Sequence, residues 1–305
     1  MAADDTRGAD DARGTGDGRG PVQITPALLR TWPLPDRHGS KDERGAVLVV
    51  GGARRTPGAA MLAGLAALRI GAGRLTLAVA SSADVGVAVA VPEAGVVPLP
   101  ETATGSVRGA PADALGDELE RADVVLVGPG LDDPDGSRQV VDDICAALPA
   151  TTPVVLDAYA LGVLPDLGDA RRTLAGRLVL TPNTSEAARL LGGDQLDAPD
   201  AAAAIADRYG AVVALSGHVA APGGGAWQSA SGHSGLGTSG SGDVLAGAVA
   251  GLLAGGTDLD RATCWGVALH TAAGDRLTAQ VGPIGFLARE LVDALPRVLL
   301  EYQSS

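Results

Sequence analysis

Aromatic side chains are scarce in this chain of 305 residues. They make up 2% of it, against 46% hydrophobic residues in all, so a buried core must be built from alanine, valine and leucine. Positive charge is also scarce: the net charge is −13, and Lys41 is the only lysine. An acidic chain without a basic stripe is not expected to bind nucleic acid. Phosphate groups must be bound almost entirely without lysine.

Cysteines and long apolar runs are equally limited. The two cysteines, Cys145 and Cys264, lie far apart in apolar helical patterns, which is typical of buried thiols in a reducing compartment rather than of a disulfide framework. No apolar run is long and uncharged enough to predict a membrane span. The acidic, glycine-rich N-terminus does not resemble a signal peptide. We therefore expect a cytoplasmic protein without a membrane partner.

The chain is organised as a short tail followed by one domain. Residues 1–20 carry almost no large apolar side chain, so we expect a disordered tail there and a single domain over residues 21–305. Beyond the tail, valine-rich apolar runs alternate with helical patterns. Strands are predicted at 46–50, 74–80, 124–127, 153–157, 178–180 and 211–215, and helices at 58–70, 137–148, 184–191, 200–209, 244–254, 259–277 and 285–300. This alternation predicts an α/β fold with a doubly wound, mainly parallel sheet and helices on both faces.

Turn-forming residues follow five of the predicted strands. Ligands of doubly wound sheets bind beyond the carboxyl ends of the strands, so these residues are candidates for a site. They are Gly51-Gly52, Gly128-Pro129-Gly130, Asp157, Thr181-Pro182-Asn183 and Ser216-Gly217. For Asp157 two interpretations remain open: a turn-forming side chain, or a carboxylate that reaches the water of a bound Mg²⁺.

The segment from Gly235 to Asp243 is the most informative part of the sequence. Its glycines let backbone N–H groups approach a ligand, and the apolar helical pattern that follows adds the positive end of a helix dipole. Together they predict a phosphate-binding loop. A carboxylate repels phosphate, so Asp243 fits the role of a general base that faces the reacting group. The alternative is that Ser241 or Asp243 simply caps the helix.

Several segments in combination resemble the ADP-dependent NAD(P)H-hydrate dehydratases of the ribokinase-like superfamily. The resemblance extends from about Val22 to Leu299. It is carried by Val-Leu-Val-Val-Gly-Gly at 47–52, Pro-Gly-Ala-Ala at 57–60, Leu-Arg-Ile-Gly-Ala-Gly at 68–73, Pro-Glu-Ala at 92–94, Val-Gly-Pro-Gly at 127–130, Val-Leu-Asp-Ala-Tyr-Ala-Leu at 155–161 and Gly-Thr-Ser-Gly-Ser-Gly-Asp-Val-Leu-Ala-Gly at 237–247.

The resemblance implies a ribokinase-like fold and a lyase that repairs hydrated nicotinamide nucleotides. NADH hydrate and NADPH hydrate would be the substrates, ADP the phosphoryl donor with Mg²⁺, and AMP and phosphate the products. Asp243 would be catalytic, and the substrate contacts would be Ala59, Gly130, Asn183 and Asp243. The nucleotide contacts would be Ser216, Gly217, His218, Val219, Ala220, Gly240, Ser241 and Gly242. No side chain is implied as a resident metal ligand, and a homo-oligomer, by family a tetramer, is implied.

Two departures from the family pattern affect the site. Asn183 stands where relatives have a substrate-contacting histidine, and Ser216 stands where they have a lysine before the nucleotide-contacting segment. Two other functions stay open. One is a small-molecule kinase of the same superfamily, of the thiazole or pyrimidine type. The other is a nucleotide-binding protein that has lost catalysis.

Overall fold

The computed structural model describes residues 20–36, 39–232 and 234–304, so the predicted tail lies outside the described residues apart from Gly20, which is exposed. The described chain forms a sheet of ten strands. They are β1 (Val22–Ile24), β2 (Ala46–Val50), β3 (Arg74–Ala80), β4 (Gly95–Leu99), β5 (Val124–Val127), β6 (Val154–Leu156), β7 (Leu178–Leu180), β8 (Ala211–Leu215), β9 (His218–Ala221) and β10 (Gly225–Ser229).

The sheet is parallel except around one strand. The strand order is β1-β10-β9-β8-β7-β6-β5-β2-β3-β4. Strand β9 runs antiparallel to both of its neighbours, β8 and β10. All other pairs are parallel, so the carboxyl ends of the central strands open at one edge of the sheet.

Helices cover both faces of the sheet. They are α1 (Pro26–Arg30), α2 (Pro57–Arg69), α3 (Asp84–Ala90), α4 (Ala112–Arg121), α5 (Pro134–Ala147), α6 (Tyr159–Val163), α7 (Asp169–Leu174), α8 (Thr184–Leu190), α9 (Ala198–Tyr209), α10 (Ser241–Ala254), α11 (Leu259–Val281) and α12 (Ala288–Ser304). Buried side chains of α1, α2, α3 and α10 to α12 form one core, and those of α4 to α9 form a second core on the other face. The prediction of a doubly wound, mainly parallel α/β fold is confirmed.

Helices α2 and α10 pack so closely that their backbones touch. A Cβ atom added at Gly247 would lie 2.0 Å from the carbonyl oxygen of Ala63, and one added at Gly251 would lie 2.6 Å from that of Ala67. The two glycines and the two alanines are each spaced by four residues, one helical turn. The helices therefore run side by side in the same direction, with residue 247 level with residue 63.

The N-terminal segment docks onto the far edge of the sheet through the three tryptophans of the chain. Trp32 lies edge-on to Trp227, with ring centroids 6.2 Å apart. The indole N–H of Trp265 donates a hydrogen bond to the carbonyl oxygen of Trp32. Thr25 caps α1 by accepting a hydrogen bond from the Leu28 N–H. Beside the tryptophans, β1 pairs with β10 in parallel register.

The predicted elements are found, with shifted ends and with additions between them. Helix α5 begins at Pro134 rather than near 137, because the Asp133 carboxylate caps it by accepting from the Gly136 N–H. Helix α10 begins at Ser241 rather than 244, and α12 spans 288–304 rather than 285–300. The sequence patterns did not predict α3, β4, α4, α6, α7, β9 and β10.

The longest described helix, α11, has 23 residues and carries four charged side chains, Asp260, Arg261, Asp275 and Arg276. Throughout residues 20–36, 39–232 and 234–304, no helix is both long and apolar enough to cross a membrane.

The α2–α10 contact predicts a position-specific cost of adding one methyl group. We expect Gly247→Ala to lower the free energy of unfolding by about 1–3 kcal/mol, because the helices must separate to admit the Cβ. The matched control is Gly116→Ala on α4, where a Cβ meets nothing within 4 Å; this change should be neutral or stabilising by up to about 1 kcal/mol. Denaturant unfolding measures both. Equal stability of the two variants would contradict the close contact.

Candidate active site

The loops after β2 and β5 are joined by hydrogen bonds at the carboxyl edge of the sheet. The Gly52 N–H donates to the carbonyl oxygen of Pro129 at 2.8 Å, and the Ala53 N–H donates to that of Gly130 at 2.8 Å. The Thr56 hydroxyl donates to the same Gly130 oxygen at 2.8 Å. Two of the segments singled out in the sequence therefore form one rigid wall of a cleft.

Three of the predicted substrate-contacting residues lie beside this wall. A Cβ at Gly130 would be 3.2 Å from the Cβ of Ala59, so the two residues are in contact. Ala59 belongs to the first turn of α2. The register that sets Gly247 level with Ala63 sets Asp243, one turn earlier, level with Ala59. The helix pair thus brings Ala59, Gly130 and Asp243 to one place.

The start of α10 presents backbone donors to the cleft. The residue before the helix is Gly240, whose φ of 88° is a conformation that favours glycine; a Cβ there would also lie 2.6 Å from the Leu62 side chain. No side chain caps the helix, so the capping interpretation of Ser241 and Asp243 is wrong. Gly242 is exposed, and a Cβ at this position would meet nothing within 4 Å. Its N–H group is among the first of the helix, which have no partner within the helix.

Two carboxylates with raised pKa values lie in the site. Burial, followed by the negative charge of Asp243, raises the pKa of Asp157 to about 7, although the Thr181 hydroxyl donates to Asp157 Oδ1 at 2.8 Å. Burial and the charge of Glu186 raise the pKa of Asp243 to about 6. A carboxylate with such a pKa is suited to accept a proton near neutral pH. The next residue, Ala158, has a φ of 50°, which is strained for a residue with a side chain.

The donor set does not form a resident metal cage. Within the part of the chain that the structure describes, no group of three or more His, Cys, Asp or Glu side chains is arranged to hold a metal ion. The carboxylates of Asp157 and Asp243 supply the hard oxygen atoms that Mg²⁺ prefers. These residues fit an ion that enters with nucleotide phosphates and keeps several of its waters.

A cleft of about 360 Å³ extends from the start of α10 to β8 and α11. Five of the predicted contact residues line it: Asn183, Ser216, Gly217, Ser241 and Gly242. Val267, His270 and Thr271 of α11 form a wall that the sequence interpretation did not assign to a site. The available signal was the pair of polar residues His270 and Thr271 inside an otherwise apolar helical pattern.

Asn183 is the N-cap of α8. Its Oδ1 accepts from the Glu186 N–H at 2.9 Å, and the Glu186 carboxylate accepts from the Asn183 N–H at 2.9 Å, which completes a capping box. The side-chain carbonyl is therefore engaged in the cap. The amide NH₂ group keeps its two donors at the edge of the cleft. Asn183 thus has a structural role that the sequence interpretation did not foresee.

The predicted nucleotide segment from Ser216 to Ala220 is a β-hairpin. Ser216 and Gly217 form its turn with φ values of 48° and 82°, a pair typical of a type I′ turn, and His218 begins β9. Val219 and Ala220 are buried in the sheet, on opposite faces. Any contact of these two residues with a nucleotide is therefore through their backbone, whereas the turn itself lines the cleft.

The fold and the glycine-lined helix terminus define a ribokinase-like α/β protein. A ribokinase-like superfamily protein from Enterococcus faecalis superposes on this chain with a TM-score of 0.78 at 25% identity, covering 93% of this chain and 97% of that one. The ADP/ATP-dependent NAD(P)H-hydrate dehydratase of Bacillus subtilis, crystallised with ATP and Mg²⁺, gives a TM-score of 0.75 at 28% identity, with 93% and 99% covered.

Sequence comparison identifies the family within this superfamily. The family model described as NAD(P)H-hydrate dehydratase matches residues 47–297. The chain is also 44% identical over 284 residues to the ADP-dependent (S)-NAD(P)H-hydrate dehydratase of Xanthomonas campestris pv. campestris, covering 90% of this chain and 95% of that protein. The chain belongs to the NAD(P)H-hydrate dehydratase family.

The raised pKa of Asp157 predicts a pH-dependent cost to stability. A carboxyl whose pKa is about 7 in the fold, against an ordinary 3.8, favours folding fully below about pH 4 and loses that contribution as the pH rises through 7. Asp157→Asn removes the titration and keeps an oxygen for the Thr181 hydroxyl. We expect its melting temperature to decline less than that of the wild type between pH 5 and pH 8.

The control for loss of one negative charge is Asp113→Asn, at an exposed position on α4. It should follow the wild-type dependence of melting temperature on pH. Parallel curves for the wild type and Asp157→Asn would show that the buried carboxyl does not limit stability.

Proposed function

We propose that this protein is an ADP-dependent (S)-NAD(P)H-hydrate dehydratase, which restores NADH or NADPH from the hydrate and releases AMP and phosphate. The observation that carries the proposal is the position of Asp243. It lies in the first turn of α10, next to the open backbone of Gly242 and level with Ala59. A base and an anion hole thus meet at one point. The family membership and the 44% identity to a dehydratase of this activity support the assignment.

The first step transfers a phosphoryl group to the substrate. The ring hydroxyl oxygen of the hydrate attacks the β-phosphorus of ADP, a new P–O bond forms, and AMP leaves with the electron pair of the broken bond. Asp243 accepts the hydroxyl proton, for which its pKa of about 6 is suited. The N–H groups at the start of α10 and the dipole of this helix stabilise the charge that develops on the phosphate oxygens.

The second step expels phosphate. The C–O bond to the phosphorylated ring carbon breaks, phosphate leaves with the electron pair, and loss of a proton from the neighbouring carbon restores the double bond. Gly130 and Ala59 form the wall against which the ring is held. Because Ala59 offers only a methyl group and Gly130 none, they leave room for the substrate ring close to Asp243.

We propose that the nucleotide binds in the cleft beside α11. We assign the phosphates to Gly240, Ser241 and Gly242, of which Ser241 and Gly242 line the cleft, and the turn at Ser216 and Gly217 closes the far end. Backbone contacts from His218, Val219 and Ala220 complete the nucleotide contacts. An Mg²⁺ ion that enters with the nucleotide would neutralise phosphate charge. Asp157 and Asp243 would hold it through its water molecules, because no cluster among the described residues forms a full ligand set.

Product analysis tests the function against the kinase alternative. Purified protein is incubated with NADH hydrate or NADPH hydrate, Mg²⁺ and either ADP or ATP. A dehydratase yields free phosphate and a reduced nicotinamide that absorbs in the near ultraviolet, together with AMP when ADP is the donor. A small-molecule kinase instead leaves a phosphorylated product. Nucleotide binding without any product would identify a protein that has lost catalysis.

Loss of the proposed base should abolish most turnover. Asn fills the volume of Asp but cannot take a proton, so Asp243→Asn should lower kcat by about 10²–10⁴-fold. Its affinity for ADP should stay within a few-fold of the wild type. The wild-type rate should fall as the pH drops below about 6, where Asp243 becomes protonated. Turnover of Asp243→Asn at near wild-type speed would rule out this base.

Asn183 should hold substrate through its amide donors. Asn183→Ala should raise KM for the hydrate more than it lowers kcat, because a contact made equally in ground and transition state is lost. The same change also removes the cap of α8, at a cost of about 1 kcal/mol in stability. Asn183→Asp separates the two effects: its carboxylate keeps the cap but has no donor.

Steady-state kinetics and thermal melts of both Asn183 variants measure the separation. Asn183→Asp should melt like the wild type and still show the raised KM. A fall in kcat with KM unchanged in either variant would contradict the holding role.

We also propose that the protein is a cytoplasmic homo-oligomer. Val85 and Val89 on α3 are more than 70% exposed, which supports a homo-oligomer in which this helix is covered. Cys145 and Cys264 are free thiols, as suits a reducing cytoplasm.

A further inference from the structure

His270 is a buried polar residue on the cleft wall that the proposed reaction has not used. It belongs to α11 and is 7% exposed. Its Nε2 lies 2.9 Å from the hydroxyl oxygen of Ser241 and 3.0 Å from the carbonyl oxygen of Ser241. Ser241 is the first residue of α10, so one imidazole nitrogen contacts both the hydroxyl and the carbonyl oxygen of the residue that begins the anion hole.

The two contacts determine where the imidazole hydrogen lies. A carbonyl oxygen only accepts, so Nε2 must carry the hydrogen that the Ser241 carbonyl receives. An unprotonated Nε2 would place two lone pairs face to face at 3.0 Å. With Nε2 as the donor, the Ser241 hydroxyl oxygen accepts from the same N–H group. The hydroxyl hydrogen then points away from His270 and is available to another acceptor.

Burial keeps this arrangement neutral. It lowers the pKa of His270 to about 4, so the ring carries no charge near neutral pH. A neutral ring preserves the single donor at Nε2 and lets the hydroxyl act as an acceptor toward it.

The rest of the cleft makes an additional donor important. Lys41, the only lysine, lines a separate hollow of about 550 Å³ together with Ala46, Arg74 and Asp123, at the amino ends of the strands. It is therefore at the wrong edge of the sheet to reach a phosphate in the cleft. Ser216 in the hairpin turn is uncharged. Phosphate oxygens in this cleft must be met by backbone N–H groups and hydroxyls.

We propose that His270 is a positioning residue that holds the Ser241 hydroxyl with its hydrogen free to bind a nucleotide phosphate oxygen. The proposal rests on the nucleotide role assigned to this cleft under the proposed function. His270 acts through Ser241 alone, because the hydrogen on its Nε2 is already donated to Ser241. Replacing His270 should therefore weaken nucleotide binding by as much as removing the Ser241 hydroxyl, and by no more.

Two amide variants separate positioning from simple filling of space. The side-chain NH₂ of Gln reaches about as far as Nε2 of His, whereas that of Asn falls short, so His270→Gln keeps the donor and His270→Asn loses it. The set is completed by Ser241→Ala and by the double variant Ser241→Ala/His270→Asn. Thr263→Val is the control, since the Thr263 hydroxyl is on the same helix but bonds only within it, to the Leu259 carbonyl oxygen.

Calorimetric titration with Mg·ADP measures the dissociation constant of each variant, and thermal melts show that each is folded. We expect His270→Asn and Ser241→Ala to raise Kd roughly 10- to 100-fold, the range for a lost hydrogen bond to a charged group. His270→Gln and Thr263→Val should stay within a few-fold of the wild type. The double variant should bind no more weakly than Ser241→Ala.

Three results would overturn the proposal. They are wild-type affinity in His270→Asn, losses that multiply in the double variant, and failure of the wild-type protein to bind Mg·ADP at all. Turnover of the hydrate is measured separately. A protein that binds Mg·ADP with the expected pattern but restores no NADH would refute the dehydratase function and leave the role of His270 standing.

Discussion

Backbone contact between α2 and α10 sets the position of Asp243, the proposed base. The contact exists because Gly247 and Gly251 have no side chains and oppose Ala63 and Ala67. Its register fixes the first turn of α10 against the first turn of α2, and through that turn it fixes Asp243 relative to Ala59. A larger side chain on either helix would separate the proposed base, Asp243, from the wall proposed to hold the substrate. The abundance of glycine and alanine in this chain is in part a requirement of this geometry.

The site places negative groups where a negative ligand is to react. Burial and the charge of Asp243 raise the pKa of Asp157, and burial and the charge of Glu186 raise the pKa of Asp243. Burying ionised carboxylates disfavours the folded state, so these two side chains lower the free energy of unfolding near neutral pH. The backbone donors of α10 and the Ser241 hydroxyl offset the repulsion between these groups and phosphate. Neither lysine nor arginine is among the described residues that line the cleft beside α11, and the only lysine lies at the opposite edge of the sheet.

The sequence predicts the central sheet well and the hairpin poorly. Continuous valine-rich runs are buried on both faces, so strands such as Val124–Val127 have a clear pattern. Strand β9 carries both a buried valine and a polar histidine, and Gly223-Gly224 beside it reads as loop. The position of Asp243 could be predicted because glycine loops before helices have few uses. The spacing of three residues between Asn183 and Glu186 is typical of a capping box, whereas the resemblance implies only a substrate contact for Asn183. The link from His270 to Ser241 could not be predicted, because it joins two helices.

The clustering of all three tryptophans affects how the protein can be observed. Trp32, Trp227 and Trp265 meet where the N-terminal segment docks. Strand β1 pairs with β10, roughly 200 residues later, so this junction forms only after most of the chain has been synthesised, at a high loop-closure cost. Intrinsic fluorescence therefore reports the docking of the N-terminal segment during folding.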